Sequence, residues 1–179
     1  MNMAHSHWNT QSQAGMTVLE TMIALAILLT VAAGIMPMAV ISLTTTENQG
    51  HLAARTTEYA QDKMEQLLVL AFNDSTSNTA VFPATTTGGT GLAVNTTSTL
   101  ASPTAGYVDY LCVDGTPVGS GSCVQSNWYY ERVWQVSIPA GTINLKQIKV
   151  SATVRTQVGV GPVLPQSTVT TLKSMFGAF

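Results

Sequence analysis

The feature that most constrains this chain is an uncharged stretch near its N-terminus. No Asp, Glu, Lys or Arg occurs between residues 21 and 46, and residues 22–43 are strongly apolar. A helix of about 20 such residues spans roughly 30 Å of hydrocarbon. A cleaved secretory signal has a shorter apolar core followed by a small-residue cleavage site, whereas here the small pair Ala14-Gly15 precedes the core. We therefore expect the segment to stay in the mature protein as a membrane anchor.

One carboxylate, Glu20, stands at the head of this apolar run. A charge near lipid costs a few kcal/mol, so such a group is usually functional and paired. The simpler alternative is an acid at headgroup level that the dipole at a helix N-terminus favours. The residues alone leave both interpretations open.

Composition excludes some classes of function. The chain has 179 residues, enough for one domain and a membrane element. Only 9% of its residues are charged and its net charge is −2. Scattered charges of both signs do not favour nucleic-acid binding.

Beyond the apolar run the chain turns polar but keeps helical spacing. Apolar positions recur at steps of three and four residues and predict an amphipathic helix that ends near Phe72. Its buried stripe comprises Leu52, Thr56, Tyr59, Ala60, Met64, Leu67 and Leu70. The charged residues fall largely off that stripe in this interpretation: Arg55, Glu58, Asp62, Lys63 and Glu65.

The rest of the chain predicts a connection followed by a sheet. Residues 73–106 contain one charge, Asp74, and are rich in Thr, Ser and Gly, which indicates an exposed connection with short strands near residues 81–82 and 92–94. Alternating apolar and polar residues then predict strands at 107–114, 128–138, 145–158 and 167–173. The fold class is therefore α+β, with a long N-terminal helix and an antiparallel sheet of about four strands.

Cys112 and Cys123 are the only cysteines. The loop between them holds Gly, Pro and Ser, so two strand ends could bring the sulfurs together in a disulfide. Two unpaired buried thiols are the alternative. Pairing would indicate an oxidising compartment.

No set of residues indicates catalysis. His5, His7 and His51 all precede the predicted sheet, which removes histidine from any site there. Asp109 and Asp114 lie near the first strand without a sign that they converge, although a calcium site at Asp114 is conceivable. We expect no enzyme activity, no cofactor and no metal.

Two side-chain groups of the sheet have open roles. Arg132 interrupts an apolar face and is expected to snorkel or to pair with an acid. The aromatic residues of the second strand are Trp128, Tyr129, Tyr130 and Trp134. They are interpreted as core, with a sugar- or partner-binding patch as the alternative.

The N-terminal residues resemble a known signature. The sequence GMTVLE, followed by the apolar helix, resembles the prepilin signal of type IV pilins and type II secretion pseudopilins. In that family a prepilin peptidase cuts after the glycine and the new terminus is methylated. The resemblance implies cleavage after Gly15, methylation of Met16 and a subunit-docking role for Glu20. It also implies that Pro37 loosens the helix.

Three further stretches are similar to PilV-type minor pilins: AQDKMEQLL at 60–68, ERVWQVS at 131–137 and LKQIKVSATV at 145–154. The implied organisation is a leader (1–15), a transmembrane and assembly helix (16–45), an amphipathic half-helix (46–72), a connecting loop (73–106) and a sheet (107–179).

The implied function is a minor pilin that assembles, primes or modifies a type IV pilus. The implied partners are the prepilin peptidase, other major and minor pilins, the inner membrane and the pilus assembly platform. The implied location is the bacterial inner membrane with the sheet in the periplasm, then the filament. A type II secretion pseudopilin and a membrane-anchored exported binding module remain as alternatives.

Overall fold

The computed structural model describes residues 17–119, 123–155 and 164–175. They form one long helix, α1 (Val18–Val69), and four strands: β1 (Val108–Leu111), β2 (Tyr130–Ser137), β3 (Leu145–Val154) and β4 (Gln166–Ser174). The predicted α+β class, with its long helix and four-stranded antiparallel sheet, is confirmed. The helix and the first three strands are slightly shorter than predicted, whereas β4 extends one residue further at each end. The chain divides into two compact units between Thr44 and Thr45, and we call the second unit the head.

The sheet of the head is a simple meander. Its strand order is β1-β2-β3-β4, and every neighbouring pair is antiparallel. The register places Tyr130 opposite Val154, and Trp134 opposite Val150. Because side chains alternate between faces, one face carries the core residues and the other carries mostly polar ones. The core face of β2 and β3 includes Tyr130, Trp134, Val136, Ile148, Val150, Ala152 and Val154.

The amphipathic part of α1 covers that face. Its buried residues are Thr56, Tyr59, Ala60, Lys63, Met64 and Leu67, while Leu52 and Leu70 pack at the margin of the core. The Tyr59 ring meets the Tyr130 ring edge-on at 4.8 Å. The predicted stripe is therefore confirmed, with Lys63 as an unexpected member.

Lysines of the sheet cap the C-terminal end of α1. The last turn has no basic residue of its own. Instead the Lys173 amine donates to the carbonyls of Leu68 and Leu70, and the Lys146 amine donates to the carbonyl of Phe72 at 2.7 Å. A cation is stabilising at this end of a helix because it satisfies orphan carbonyls and opposes the macrodipole. Burial lowers the pKa of both lysines.

The segment 73–106 departs from the prediction. Neither residues 81–82 nor 92–94 form a strand, and the segment has only an isolated bridge between Asn78 and Thr85. It is also less exposed than expected, because Leu92 reaches the core. Hydrogen bonds within the segment order it instead. The Asp74 carboxylate accepts hydrogen bonds from the amides of Thr76 and Ser77, both at 3.0 Å.

Candidate functional site: the apolar helix and the charges of the head

The apolar part of α1 has no protein cover among the described residues. Every large apolar side chain from Val18 to Leu43 is more than half exposed. One window of this helix has a mean hydropathy of 2.4 and none of it is buried. By length and composition the helix is able to cross a membrane. So large an exposed apolar surface is not expected to remain in water.

The threonines of this segment are adapted to apolar surroundings. The Thr30 hydroxyl donates to the carbonyls of Ala26 and Ile27, and the Thr44 hydroxyl donates to those of Val40 and Ile41. The Thr21 hydroxyl donates to the Val18 carbonyl at 2.7 Å. In hydrocarbon each polar group must find its partner within the chain. These three hydroxyls therefore leave no unsatisfied hydrogen-bond donor facing a lipid or protein neighbour.

Glu20 lies in the first turn of α1 and its side chain is exposed. The Glu20 amide donates to the Thr17 hydroxyl oxygen at 3.3 Å, so Thr17 acts as the N-cap and Glu20 occupies the third helical position. Thr-x-x-Glu is the spacing of a capping box, a signal that the sequence analysis did not use. The dipole favours an acid here, but among the described residues no cation pairs with the carboxylate.

The other predicted residues of this segment have different outcomes. Gly15 and Met16 lie outside the described residues, so the cleavage and methylation sites stay predictions. Pro37 lies inside α1, which continues through it. Proline lacks the amide that would bond to the Ala33 carbonyl, so it weakens the helix there without ending it.

The head contains a buried cluster of charges. Asp109 on β1 accepts hydrogen bonds from Arg132 Nε at 2.8 Å, Arg132 Nη2 at 2.8 Å and Lys63 Nζ at 2.7 Å. Arg132 also donates to Asp62 at 2.9 Å. The exposed fraction is 1% for Lys63, 2% for Arg132 and 7% for Asp109, whereas Asp62 is 54% exposed. This charge cluster joins α1 to the first two strands.

The Lys63 amine has two contacts besides the one with Asp109. It donates to the Thr79 carbonyl and lies 4.2 Å from the centre of the Trp134 ring. Burial lowers the pKa of Lys63, and the attraction of Asp109 opposes that effect. Burial also acts to lower the pKa of Arg132, but Asp109 and Asp62 outweigh it and the pKa is raised. Two cations and two carboxylates leave the cluster neutral, which indicates a structural role.

The prediction that Lys63 lies off the buried stripe is wrong, whereas the expected pairing of Arg132 with an acid is confirmed. The spacing of Lys63 from Tyr59, Ala60 and Leu67 places it on the buried stripe, and that spacing was the available signal. Arg132 pairs with acids, as one of its two expected roles required.

The aromatic residues of β2 are largely core. Trp134 is fully buried and Tyr130 nearly so, and burial is the main cause that raises the pKa of Tyr130 to about 12. Trp128 lies before β2 and contacts Tyr110 in a tilted arrangement with ring centres 5.0 Å apart. The interpretation as core is therefore confirmed for Tyr130 and Trp134, and the alternative of a binding patch loses these two rings.

Cys112 and Cys123 form a disulfide, with their Cα atoms 5.6 Å apart. The pairing predicted from the loop is confirmed and the alternative of two free thiols is wrong. Asp114, the conceivable calcium ligand, accepts hydrogen bonds from the amide and the hydroxyl of Thr116. In the part of the chain that the structure describes, no group of three or more His, Cys, Asp or Glu side chains could hold a metal ion.

No model of a protein family, no curated protein and no solved structure matches this chain. The family resemblance consequently rests on the sequence motifs given above.

Proposed function

We propose that this chain is a minor pilin, a non-enzymatic structural subunit that enters a type IV pilus. The observation that carries the proposal is the apolar part of α1. It is uncharged over residues 21–46, exposed on all sides, and preceded by an acid in its first turn. Such a helix suits two apolar surroundings in succession: lipid before assembly, and the helices of neighbouring subunits afterwards.

Glu20 has the central part in this proposal. A carboxylate inside a bilayer costs about 2.5–3.5 kcal/mol on insertion scales. Cleavage after Gly15 would create an ammonium group on Met16, about one helical turn from Glu20. Pairing with the amine of a second subunit would offset part of this cost and fix the register between two helices. The acid would then favour assembly over residence in lipid.

The head would be carried by this helix as a preformed body. Lys63, Asp109 and Arg132 are paired within the head, and its disulfide suits an oxidising compartment such as the periplasm. The proposed path therefore runs from the inner membrane, with the head in the periplasm, to the filament. Prepilin peptidase, other pilins and the assembly platform are the proposed partners.

Mass spectrometry of the mature N-terminus tests the first step. Gly15→Ala should block processing, whereas the matched variant Ala14→Ser should be shortened and methylated on Met16 like the original chain. An unprocessed N-terminus in the original chain, or normal shortening of Gly15→Ala, would refute the pilin assignment.

Immunodetection in sheared filaments tests the second step. Glu20→Gln should be processed normally but be depleted from pili at least tenfold, because the neutral side chain cannot form the ion pair. Thr21→Ser, which keeps a hydroxyl next to the site, should assemble normally. Assembly of Glu20→Gln at the original level would contradict the docking role. A subunit absent from pili but needed for protein export would identify a type II secretion pseudopilin instead.

A further inference from the structure

Two buried polar side chains of the head lack a hydrogen-bond partner in the part of the chain that the structure describes. They are the Thr79 hydroxyl, in the segment 73–106, and the Trp134 indole N–H, on the core face of β2. The exposed fraction is 3% for Thr79 and 0% for Trp134, so bulk water does not reach either group. A buried polar group without a partner costs free energy, and native proteins rarely leave one unsatisfied. Each of these groups therefore needs a partner.

Both side chains border the same ammonium group. Lys63 Nζ donates to the Thr79 carbonyl and lies 4.2 Å from the centre of the Trp134 ring. Nζ also donates to Asp109 Oδ2 at 2.7 Å. The unpaired hydroxyl and the unpaired indole N–H therefore lie beside the buried charge cluster of the head rather than in purely apolar surroundings.

The chemistry of these groups selects the ligand. An indole N–H only donates, an ammonium only donates, and a hydroxyl both donates and accepts. The ligand must therefore accept a hydrogen bond from Trp134 and exchange another with Thr79. A metal cation fails because it needs acceptors, and an anion fails because the charge cluster is already neutral and a further buried charge would be unpaired. A water molecule meets both requirements, since buried waters typically make about three hydrogen bonds to groups of this kind.

We infer that one internal water molecule binds between the Thr79 hydroxyl and the Trp134 indole, beside the buried charge cluster. It accepts a hydrogen bond from Trp134 Nε1 and exchanges a second with Thr79 Oγ1. The water and the bond from Lys63 to the Thr79 carbonyl together fasten the segment 73–106 to α1 and β2. The site belongs to the head itself and is the same whether or not the chain enters a filament.

The sign of one stability change tests this site. Without the water, Thr79→Val would remove an unpaired buried hydroxyl and stabilise the head. With the water, the same substitution removes one of its partners and leaves the Trp134 N–H unsatisfied, so the equilibrium constant for unfolding in urea should rise roughly tenfold. Thr86→Val, at an exposed position of the same segment, should change that constant by no more than about twofold. A Thr79→Val chain as stable as the original, or more stable, would overturn the inference.

Solvent relaxation separates the loss of a water molecule from a change in packing. The dispersion of the ¹⁷O relaxation of the solvent, measured on the full chain in detergent, reports long-lived internal waters without a contribution from hydroxyl protons. Its amplitude should fall in Thr79→Val and stay unchanged in Thr86→Val. An unaltered amplitude in Thr79→Val would overturn the inference.

Nuclear Overhauser spectra of the full chain locate the water. The Trp134 indole proton, assigned by its loss in Trp134→Phe, should show a contact with the water resonance. The Val150 amide, in the central strand β3, is equally buried and should show none. A Trp134 indole proton without a water contact would overturn the assignment of this site.

Discussion

Replacement of Asp109 by Asn should destabilise the head strongly, because this carboxylate holds two buried cations. It accepts two bonds from Arg132 and one from Lys63, all between 2.7 and 2.8 Å. Asn has nearly the same shape, but it carries no charge and turns an NH₂ group towards donors. The variant therefore leaves two buried positive charges with weakened compensation.

The expected loss can be estimated from the partners that remain. Removal of one partner of a buried ion pair costs about 3–5 kcal/mol. Lys63 keeps the Thr79 carbonyl, and Arg132 keeps the half-exposed Asp62, so the lower part of that range applies. A loss of about 3–4 kcal/mol is a large share of the 5–15 kcal/mol that stabilises a typical domain. It should lower the Tm by roughly 6–16 °C.

Thermal and urea unfolding of the full chain in detergent measure this effect. Tryptophan fluorescence is a suitable signal because Trp134 is buried beside Lys63. Glu58→Gln is the matched control, since it removes the exposed Arg55–Glu58 pair and should leave the Tm unchanged. Adding Lys63→Met to Asp109→Asn should restore part of the stability by removing one orphaned charge. A Tm for Asp109→Asn equal to that of the control would refute the reasoning.

Two further changes have specific outcomes. Gly115→Ala should lower the free energy of unfolding by about 1–3 kcal/mol, since φ is +83° and the new Cβ would lie 2.6 Å from the Tyr59 hydroxyl oxygen. Gly119→Ala (φ +89°) should lower the free energy of unfolding by less in the same urea titration, because there is open space around Gly119. Hydrogen bonds from the Ser77 hydroxyl and amide lower the pKa of Asp74, so its stabilisation is present above about pH 4 and is lost as the pH falls through the lower folded-state pKa. Asp74→Asn should therefore flatten the acid limb of a plot of Tm against pH, and an unaltered limb would contradict this.

The regular elements could be predicted because their periodicity is strong. The α1 stripe and the alternation in β2 and β3 fixed which faces are buried, and the register confirms those faces. The prediction for Lys63 was wrong because residue type overrode position: Lys63 occupies an inward position of α1 and is buried. A charge at such a position predicts a buried partner rather than an exposed face.

The long connection could not be predicted, since its order depends on contacts that leave no periodic trace. Gly91 is one example, because a Cβ there would lie 2.3 Å from an Asp74 carboxylate oxygen. Leu92 is another, since its amide bonds to the Asp74 carbonyl while its side chain enters the core. A Thr/Ser/Gly-rich composition indicates loops but does not show which residue of the loop meets the sheet.

The distribution of charge connects the head to the proposed role of Glu20. A chain with 9% charged residues nevertheless buries Lys63, Asp109 and Arg132, and each of them has an opposite charge within hydrogen-bonding distance. Glu20 has no opposite charge near it among the described residues. It nevertheless stands at the start of the apolar part of α1, which is able to cross a membrane. The same desolvation cost that requires partners inside the head requires one for Glu20 in lipid. If the chain is a minor pilin as proposed, the Met16 ammonium created by cleavage, in the same or in a neighbouring subunit, would be that partner.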